Sequence, residues 1–145
     1  MPSTNNKKQN LASVLFDLDG TLLDTADDLG AALNFVLAQH NKPQVAAKDY
    51  RPVASDGALG LLSLGFGDAI KEFNYETLRK QFLDYYQENI AVHTCLYPGV
   101  AELLLHLETN KIPWGIVTNK PEGLTKTLLP HYAEFTQCAV MVAGD

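Results

Sequence analysis

The chain has 145 residues, 46% of them hydrophobic, the size and content of one ordinary domain that can bury a real core, so disorder is not the default reading. A formal net charge of −6 and a pI near 5.1 argue against a surface built to collect counterions from nucleic acid or to bind acidic lipid, and an anionic substrate must be drawn in by a local site. Cys95 and Cys138 are too far apart for a metal-type or redox pair and too few for a disulfide framework, which fits a reducing cytosol and a cytoplasmic protein.

Met1 to Asn10 is polar, carries two lysines and has no apolar segment, so it reads as a loose tail instead of a signal peptide. No apolar run approaches the roughly 20 residues that would span a bilayer, and no membrane partner is expected. Leu11 to Phe16 is a short apolar run that ends at Asp17 before the Asp19-Gly20 turn, the pattern of a buried strand. Thr25 stands three residues before Asp28, a capping-box spacing, and apolar Leu29, Ala32, Leu33, Val36 and Leu37 predict a helix with one apolar face, closing near Asn41 and Pro43.

A loop is expected around Arg51 to Gly57, then a short apolar helix from Ala58 to Leu64 stopped by Gly65 and Gly67. Asn74 caps a longer helix in which Leu78, Phe82, Tyr85 and Tyr86 share a face, so residues 26–92 read as helical throughout. Pro98-Gly99 opens another helix that Asn110 ends, and Pro113 to Val117 is a second strand. Pro121 takes the first position of a helix running to Leu129, and Cys138 to Val142 is a third strand. Strands separated by helices imply a parallel sheet of an α/β core, residues 11–25 and 93–145, interrupted by an all-helical insert, residues 26–92.

The chemistry concentrates in Phe16-Asp17-Leu18-Asp19-Gly20-Thr21-Leu22-Leu23-Asp24-Thr25. Ligands of open α/β sheets bind beyond the carboxyl ends of the strands, where Asp17 and Asp19 fall, and residues two apart on an extended chain share a side. Two carboxylates so placed repel unless a cation relieves them, and hard oxygen ligands favour Mg2+. Asp17, fixed at the strand end, can attack phosphorus, while Asp19, further out, can serve as acid and then base. Gly20 permits a sharp turn and close approach to a phosphate, and Thr21 offers a hydroxyl and an amide. Thr118 ends the second strand just before a helix, so its hydroxyl, Asn119 and the free amides at the helix start form a second anion cradle.

At these residues the chain resembles the haloacid dehalogenase superfamily. DxDGT followed by LLDT after an apolar strand is similar to that family's first motif, and the strand ending at Thr118-Asn119 to its second. The helical stretch between them resembles the family's cap. Within the family, DLDGTLLDT, AVHTCLYPGV and PWGIVTNKP look most like phosphoglycolate phosphatases, with N-acetylmuramate 6-phosphate phosphatases also similar. The resemblance implies a magnesium-dependent phosphoric monoester hydrolase acting on a small phosphorylated metabolite, most simply 2-phosphoglycolate, through an aspartyl-phosphate. It makes Asp17 nucleophile and metal ligand, and Asp19 acid, base and metal ligand through its carbonyl. It makes Thr118 and Asn119 phosphate holders, beside Gly20 and Thr21 of the sharp turn, and gives the cap loop around Ser55, Asp56 and Gly57 a part in choosing substrate.

The family's third motif, a lysine, and its fourth, an acidic cluster, follow the third core strand, whereas this sequence ends at Gly144-Asp145. A fragment is therefore expected, with weak metal binding and little turnover on its own. Lys120, directly after the second motif, is not read as a replacement for the missing lysine. A sugar-phosphate phosphatase and a noncatalytic protein that kept the fold stay open as alternatives. Asp24, Asp27 and Asp28 read as capping and dipole-compensating residues, His93 and Cys95 as packing residues, and Arg51 as a surface charge that could also meet a substrate anion.

Overall fold

A computed structural model describes residues 12–145, so the tail at residues 1–10 and the expected strand position Leu11 lie outside the described residues. The chain divides into two compact units, one running to Leu22 and resuming at Leu96–Asp145, the other Leu23–Cys95.

In the first unit, β1 (Val14–Phe16), β4 (Trp114–Val117) and β5 (Met141–Val142) form a parallel sheet in the order β1-β4-β5. Val14 pairs with Trp114 and Phe16 with Ile116, and Ile116 pairs with Met141, so the strands end together. The alternation of the strands shows in what they bury. Trp114 and Ile116 are buried, and Trp114 meets Phe16 and Phe135 edge-on at ring separations of 6.2 and 6.1 Å. Its indole N–H donates to Glu108 Oε2 at 3.0 Å, which satisfies the one polar atom in this cluster. Leu15, Val117, Val140 and Val142 stand exposed. Helix α5 (Val100–Thr109) follows Gly99, whose left-handed φ of 89° starts it, and buries Val100, Leu104 and Leu107. Helix α6 (Glu122–Leu128) begins one residue later than expected, with Pro121 at the cap position. The third strand is shorter than the sequence suggests, although ladder bonds begin early, with Ala139 N donating to Trp114 O at 2.8 Å.

The second unit is helical: α1 (Ala26–Gln39), α2 (Ala47–Tyr50), α3 (Gly57–Phe66) and α4 (Tyr75–Glu88), with tight 3-10 turns at Arg51–Asp56 and Gly67–Glu72. The short strands β2 (Leu23–Asp24) and β3 (Cys95–Leu96) pair where the chain enters and leaves it. The predicted face of α1, Leu29, Ala32, Leu33, Val36 and Leu37, is buried, and so are Leu78, Phe82 and Tyr86 of α4, while Tyr85, expected on the same face, is only partly buried. Phe35 and Tyr85 stack at 4.4 Å beside them, and Asn74 caps α4 through Thr77 N at 3.1 Å.

Several expectations are corrected here. The segment from Arg51 to Asp56 is a 3-10 helix, not a loop, and residues 40–46 are not helical. Gly65 does not stop α3 but lies inside it, because a Cβ there would stand 2.8 Å from Leu33 and 3.0 Å from Leu37; the glycine permits close helix packing. Thr25 makes no side-chain cap bond, and the Asp28 carboxylate, which would complete a capping box, accepts from Thr94 instead. His93 and Cys95 are exposed instead of packed. The 26-residue run Ala47–Glu72 is long and apolar enough by composition to cross a membrane, contrary to the sequence reading, but it consists of four short helical pieces, with breaks at Gly57 and Gly67 (φ of 76° and 56°) and a change to 3-10 geometry at Arg51.

Candidate active site

Parallel register places Asp17 directly after Phe16 and Thr118 two residues after Ile116, at the same carboxyl end of neighbouring strands. Asp17 is exposed, and its Oδ1 accepts the Leu18 N–H at 2.8 Å, which fixes the carboxylate at the strand end. Leu18 is fully buried beneath it, and the chain then turns: Thr21 and Leu22 both donate their N–H groups to Leu18 O, at 3.2 and 3.0 Å, and Gly20 takes a left-handed φ of 81°. The turn swings Asp19 back over the strand ends. There its Oδ1 meets the Lys120 ammonium at 3.0 Å.

Lys120 is the site residue that sequence reasoning set aside. Its side chain is only 5% exposed against 18% for Asp19, so the pair is a largely buried salt bridge. Burial pushes the ammonium below the usual lysine range, and the charge of Asp19 and its hydrogen bond offset part of that. The lysine backbone is equally held. Its N–H donates to Thr118 Oγ1 at 3.1 Å and its carbonyl accepts from Gly144 N at 3.0 Å. Asp19, Lys120 and Thr118 are thus bonded to one another, at the strand ends where the register also places Asp17.

The anion cradle is smaller than expected. Thr21 spends its amide in the turn and Thr118 gives its own to Val142 O at 2.9 Å. At the start of α6, the Glu122 N–H is taken by Asp145 Oδ1 at 2.7 Å, and the Lys120 N–H by Thr118 as above. A carboxylate at a helix start is a favourable partner for those amides. What remains for a phosphate are the hydroxyls of Thr21 and Thr118, the latter accepting the Lys120 N–H but keeping its own O–H to donate, together with exposed Gly20 and Asn119. Asp145 acts as that cap, and Gly144 packs so closely that a Cβ would stand 2.1 Å from Asn119 O.

In the helical unit, Arg51 donates to Asp24 Oδ2 at 2.6 Å and to Asp27 Oδ1 at 3.1 Å, and the bond to Asp24 holds its guanidinium above the ordinary arginine range. Tyr50 donates to the same Asp27 oxygen at 2.7 Å. Ser55 and Asp56 are exposed at the end of the 3-10 turn, with Gly57 beyond them.

A family model described as haloacid dehalogenase-like hydrolase matches residues 14–143, nearly all of the described chain. The chain belongs to that family. Among curated relatives of this haloacid dehalogenase-like chain, the N-acetylmuramic acid 6-phosphate phosphatase of Pseudomonas aeruginosa is 39% identical over 139 residues, covering 96% of this chain and 62% of that protein. The phosphoglycolate phosphatase of Xanthomonas campestris is 40% identical over 135 residues, covering 92% and 60%. A solved structure of a predicted phosphoglycolate phosphatase from Haemophilus somnus superimposes with a TM-score of 0.82 at 28% identity, covering 93% of this chain and 63% of that one. A haloacid dehalogenase-like family protein from Streptococcus pneumoniae shares the fold, with a TM-score of 0.80 at 18% identity. The chain therefore spans about three fifths of the length of the relatives it matches.

Phosphatases of this family generally use magnesium. Among the described residues no three His, Cys, Asp or Glu side chains cluster as a metal cage. The donors at the strand end are nevertheless hard oxygens, the Asp17 carboxylate and the Asp19 carbonyl. Magnesium is held by one or two carboxylates and keeps several waters, so this partial set fits it.

Proposed function

We propose that this chain carries the nucleophile half of a magnesium-dependent phosphatase that hydrolyses a small phosphate monoester, 2-phosphoglycolate first among candidates, in the cytoplasm. The observation that supports it is the meeting of Asp19 with Lys120 at 3.0 Å, which ties the first motif to the second at the strand ends. Names of relatives supply the substrate class: one acts on N-acetylmuramic acid 6-phosphate, another on phosphoglycolate.

The exposed Asp17 carboxylate is the nucleophile. One of its oxygens bonds to phosphorus as the bond from phosphorus to the leaving oxygen breaks, and Asp19 gives its proton to that departing alkoxide. Asp19, now a carboxylate, takes a proton from water, whose oxygen attacks phosphorus and releases Asp17 and inorganic phosphate. Asn119 and the hydroxyls of Thr21 and Thr118 hold the phosphoryl oxygens, and Gly20 lets the backbone approach them. Asp17 and the Asp19 carbonyl would hold magnesium, which neutralises phosphoryl charge when bound. In the helical unit, Arg51, Ser55, Asp56 and Gly57 would select the rest of the substrate.

The test is metal-dependent release of phosphate from a panel that includes 2-phosphoglycolate and N-acetylmuramate 6-phosphate. It uses residues 1–145 and, beside them, the same residues continued to the length of the relatives. Asp17→Asn should abolish turnover. Undiminished turnover in that variant would remove the nucleophile, and no release by any form would leave the noncatalytic alternative.

A further inference from the structure

We infer that Lys120 is the positioning residue for the acid and base Asp19, fixing the rotation of its carboxylate so that proton transfer to the leaving oxygen is aligned. The inference rests on the proposed phosphatase reading. A lysine stem is long and flexible, and on a surface its ammonium would cost rotamer freedom to hold still. Here the stem is enclosed, with 5% of the side chain exposed, and the residue is anchored at both backbone atoms, N–H to Thr118 Oγ1 at 3.1 Å and carbonyl to Gly144 N at 3.0 Å. Few directions remain for the ammonium. It meets Asp19 Oδ1 at 3.0 Å, a charge-assisted bond across 101 residues of sequence.

Asp19 lies inside the turn from Leu18 to Leu22, beside the left-handed Gly20, and its backbone makes a β-bridge there, but backbone pairing does not set the rotation of its carboxylate. A carboxylate on such a turn rotates unless another group holds one oxygen. Lys120 does this from β4's end, the strand that neighbours Asp17, so acid and nucleophile are referred to the same rigid sheet. The lysine does not need to touch phosphate or the leaving group. Its contribution is that of a brace on the group that does.

Alignment of a general acid matters in proportion to how badly the leaving group needs a proton. Lys120→Met should therefore lower kcat for an alkyl phosphate such as 2-phosphoglycolate by about 100-fold, within the range general acid catalysis supplies, and for p-nitrophenyl phosphate by less than about fivefold. KM should change by less than about threefold for both, since uniform binding is untouched. Lys120→Arg, which keeps the charge, should recover part of the alkyl-ester rate. A purely structural role would lower both rates together. A substrate-binding role would raise KM at constant kcat. Either result overturns the inference.

A second measurement needs no turnover. In residues 1–145, the Lys120 ammonium should give a slowly exchanging 15N resonance that is lost or displaced in Asp19→Asn. Its absence, or its indifference to Asp19→Asn, also overturns the inference. If neither ester is hydrolysed by the unsubstituted protein continued to the length of the relatives, the phosphatase reading fails, and the resonance still decides whether the brace exists.

Discussion

The carboxylate of Asp28 accepts both the backbone N–H of Thr94, at 2.9 Å, and its hydroxyl, at 2.7 Å. The same carboxylate also takes the His93 N–H, at 3.1 and 2.9 Å to its two oxygens, so the first turn of α1 is stapled to the segment that leaves the helical unit. Asp28 is 2% exposed and Thr94 8%, so the two Thr94 donors have little access to water once the acceptor is gone, whereas His93 is exposed. Asp28→Ala removes the acceptor of both buried Thr94 donors and should cost about 3 kcal/mol of stability, with Asp28→Asn intermediate because one acceptor oxygen survives. Thr94→Val removes the hydroxyl alone and should cost about 1 kcal/mol. Urea midpoints for the three variants check the order, and a loss below about 0.5 kcal/mol for Asp28→Ala would sink the staple, being no more than a surface change.

Gly144 lies against the backbone of the second motif. A Cβ there would stand 2.1 Å from Asn119 O and 2.6 Å from its carbonyl carbon, and backbone cannot rotate aside as a side chain can. Gly144→Ala must therefore move one of the two segments, breaking the Gly144 N to Lys120 O bond and the cap that Asp145 places on Glu122 N. The expected cost is about 1–3 kcal/mol, typical of overpacking. Amide resonances of Asn119, Lys120 and Glu122 should shift together. Shifts confined to residues 143–145 would show the contact to be slack.

Much of this architecture is legible in the sequence because it is local. The strand, the Asp-Gly turn and the helix after it are written in consecutive residues from Val14 to Leu37, and the faces of α1 and α4 follow from their spacing. What fails is what depends on distant partners. Thr25 and Asp28 have the same spacing whether the acid caps its own helix or reaches across to Thr94, and only the position of residues 66 places further on decides it. Gly65 reads as a stop because nothing nearby announces Leu33 and Leu37. Lys120 is similarly undecided in sequence, since a lysine after a strand is usually solvated and its acid lies 101 residues away.

Arg51 gives an activity prediction that stability does not obscure. Its salt bridges join side chains that are 38% exposed on the arginine and 24% and 47% on Asp24 and Asp27, so each is worth less than about 1 kcal/mol after solvent screening. Arg51→Ala should leave the unfolding midpoint nearly unchanged. If Arg51 receives the second anionic group of the substrate, as proposed, KM for 2-phosphoglycolate should rise about tenfold, the loss of one charge-assisted bond, with kcat preserved. p-Nitrophenyl phosphate, which lacks that group, should be unaffected. An unchanged KM for 2-phosphoglycolate would remove Arg51 from substrate selection.

Tyr50 sets a pH limit on the helical unit. Its ring lies against Gly30, where a Cβ would stand 2.4 Å from it, and its hydroxyl donates to Asp27 at 2.7 Å. Burial first, and the Asp27 carboxylate second, push the phenol from its usual 10.0 up to about 12. The folded protein thus keeps a proton that the unfolded chain releases. The resulting stability is fully present below pH 10.0, declines as pH rises, and is gone above about 12. A shift of that size corresponds to about 2–3 kcal/mol. Tyr50→Phe cannot ionise, so although it loses the bond to Asp27 and starts less stable, its stability should fall less steeply across this window. Other tyrosines and lysines titrate here as well, Tyr75 among those raised by burial, but they are common to both proteins and cancel in the difference. Urea unfolding of both proteins at several pH values from 9 to 12 measures it, and parallel curves would show that the Tyr50 hydroxyl is as free to ionise in the folded state as in the unfolded one.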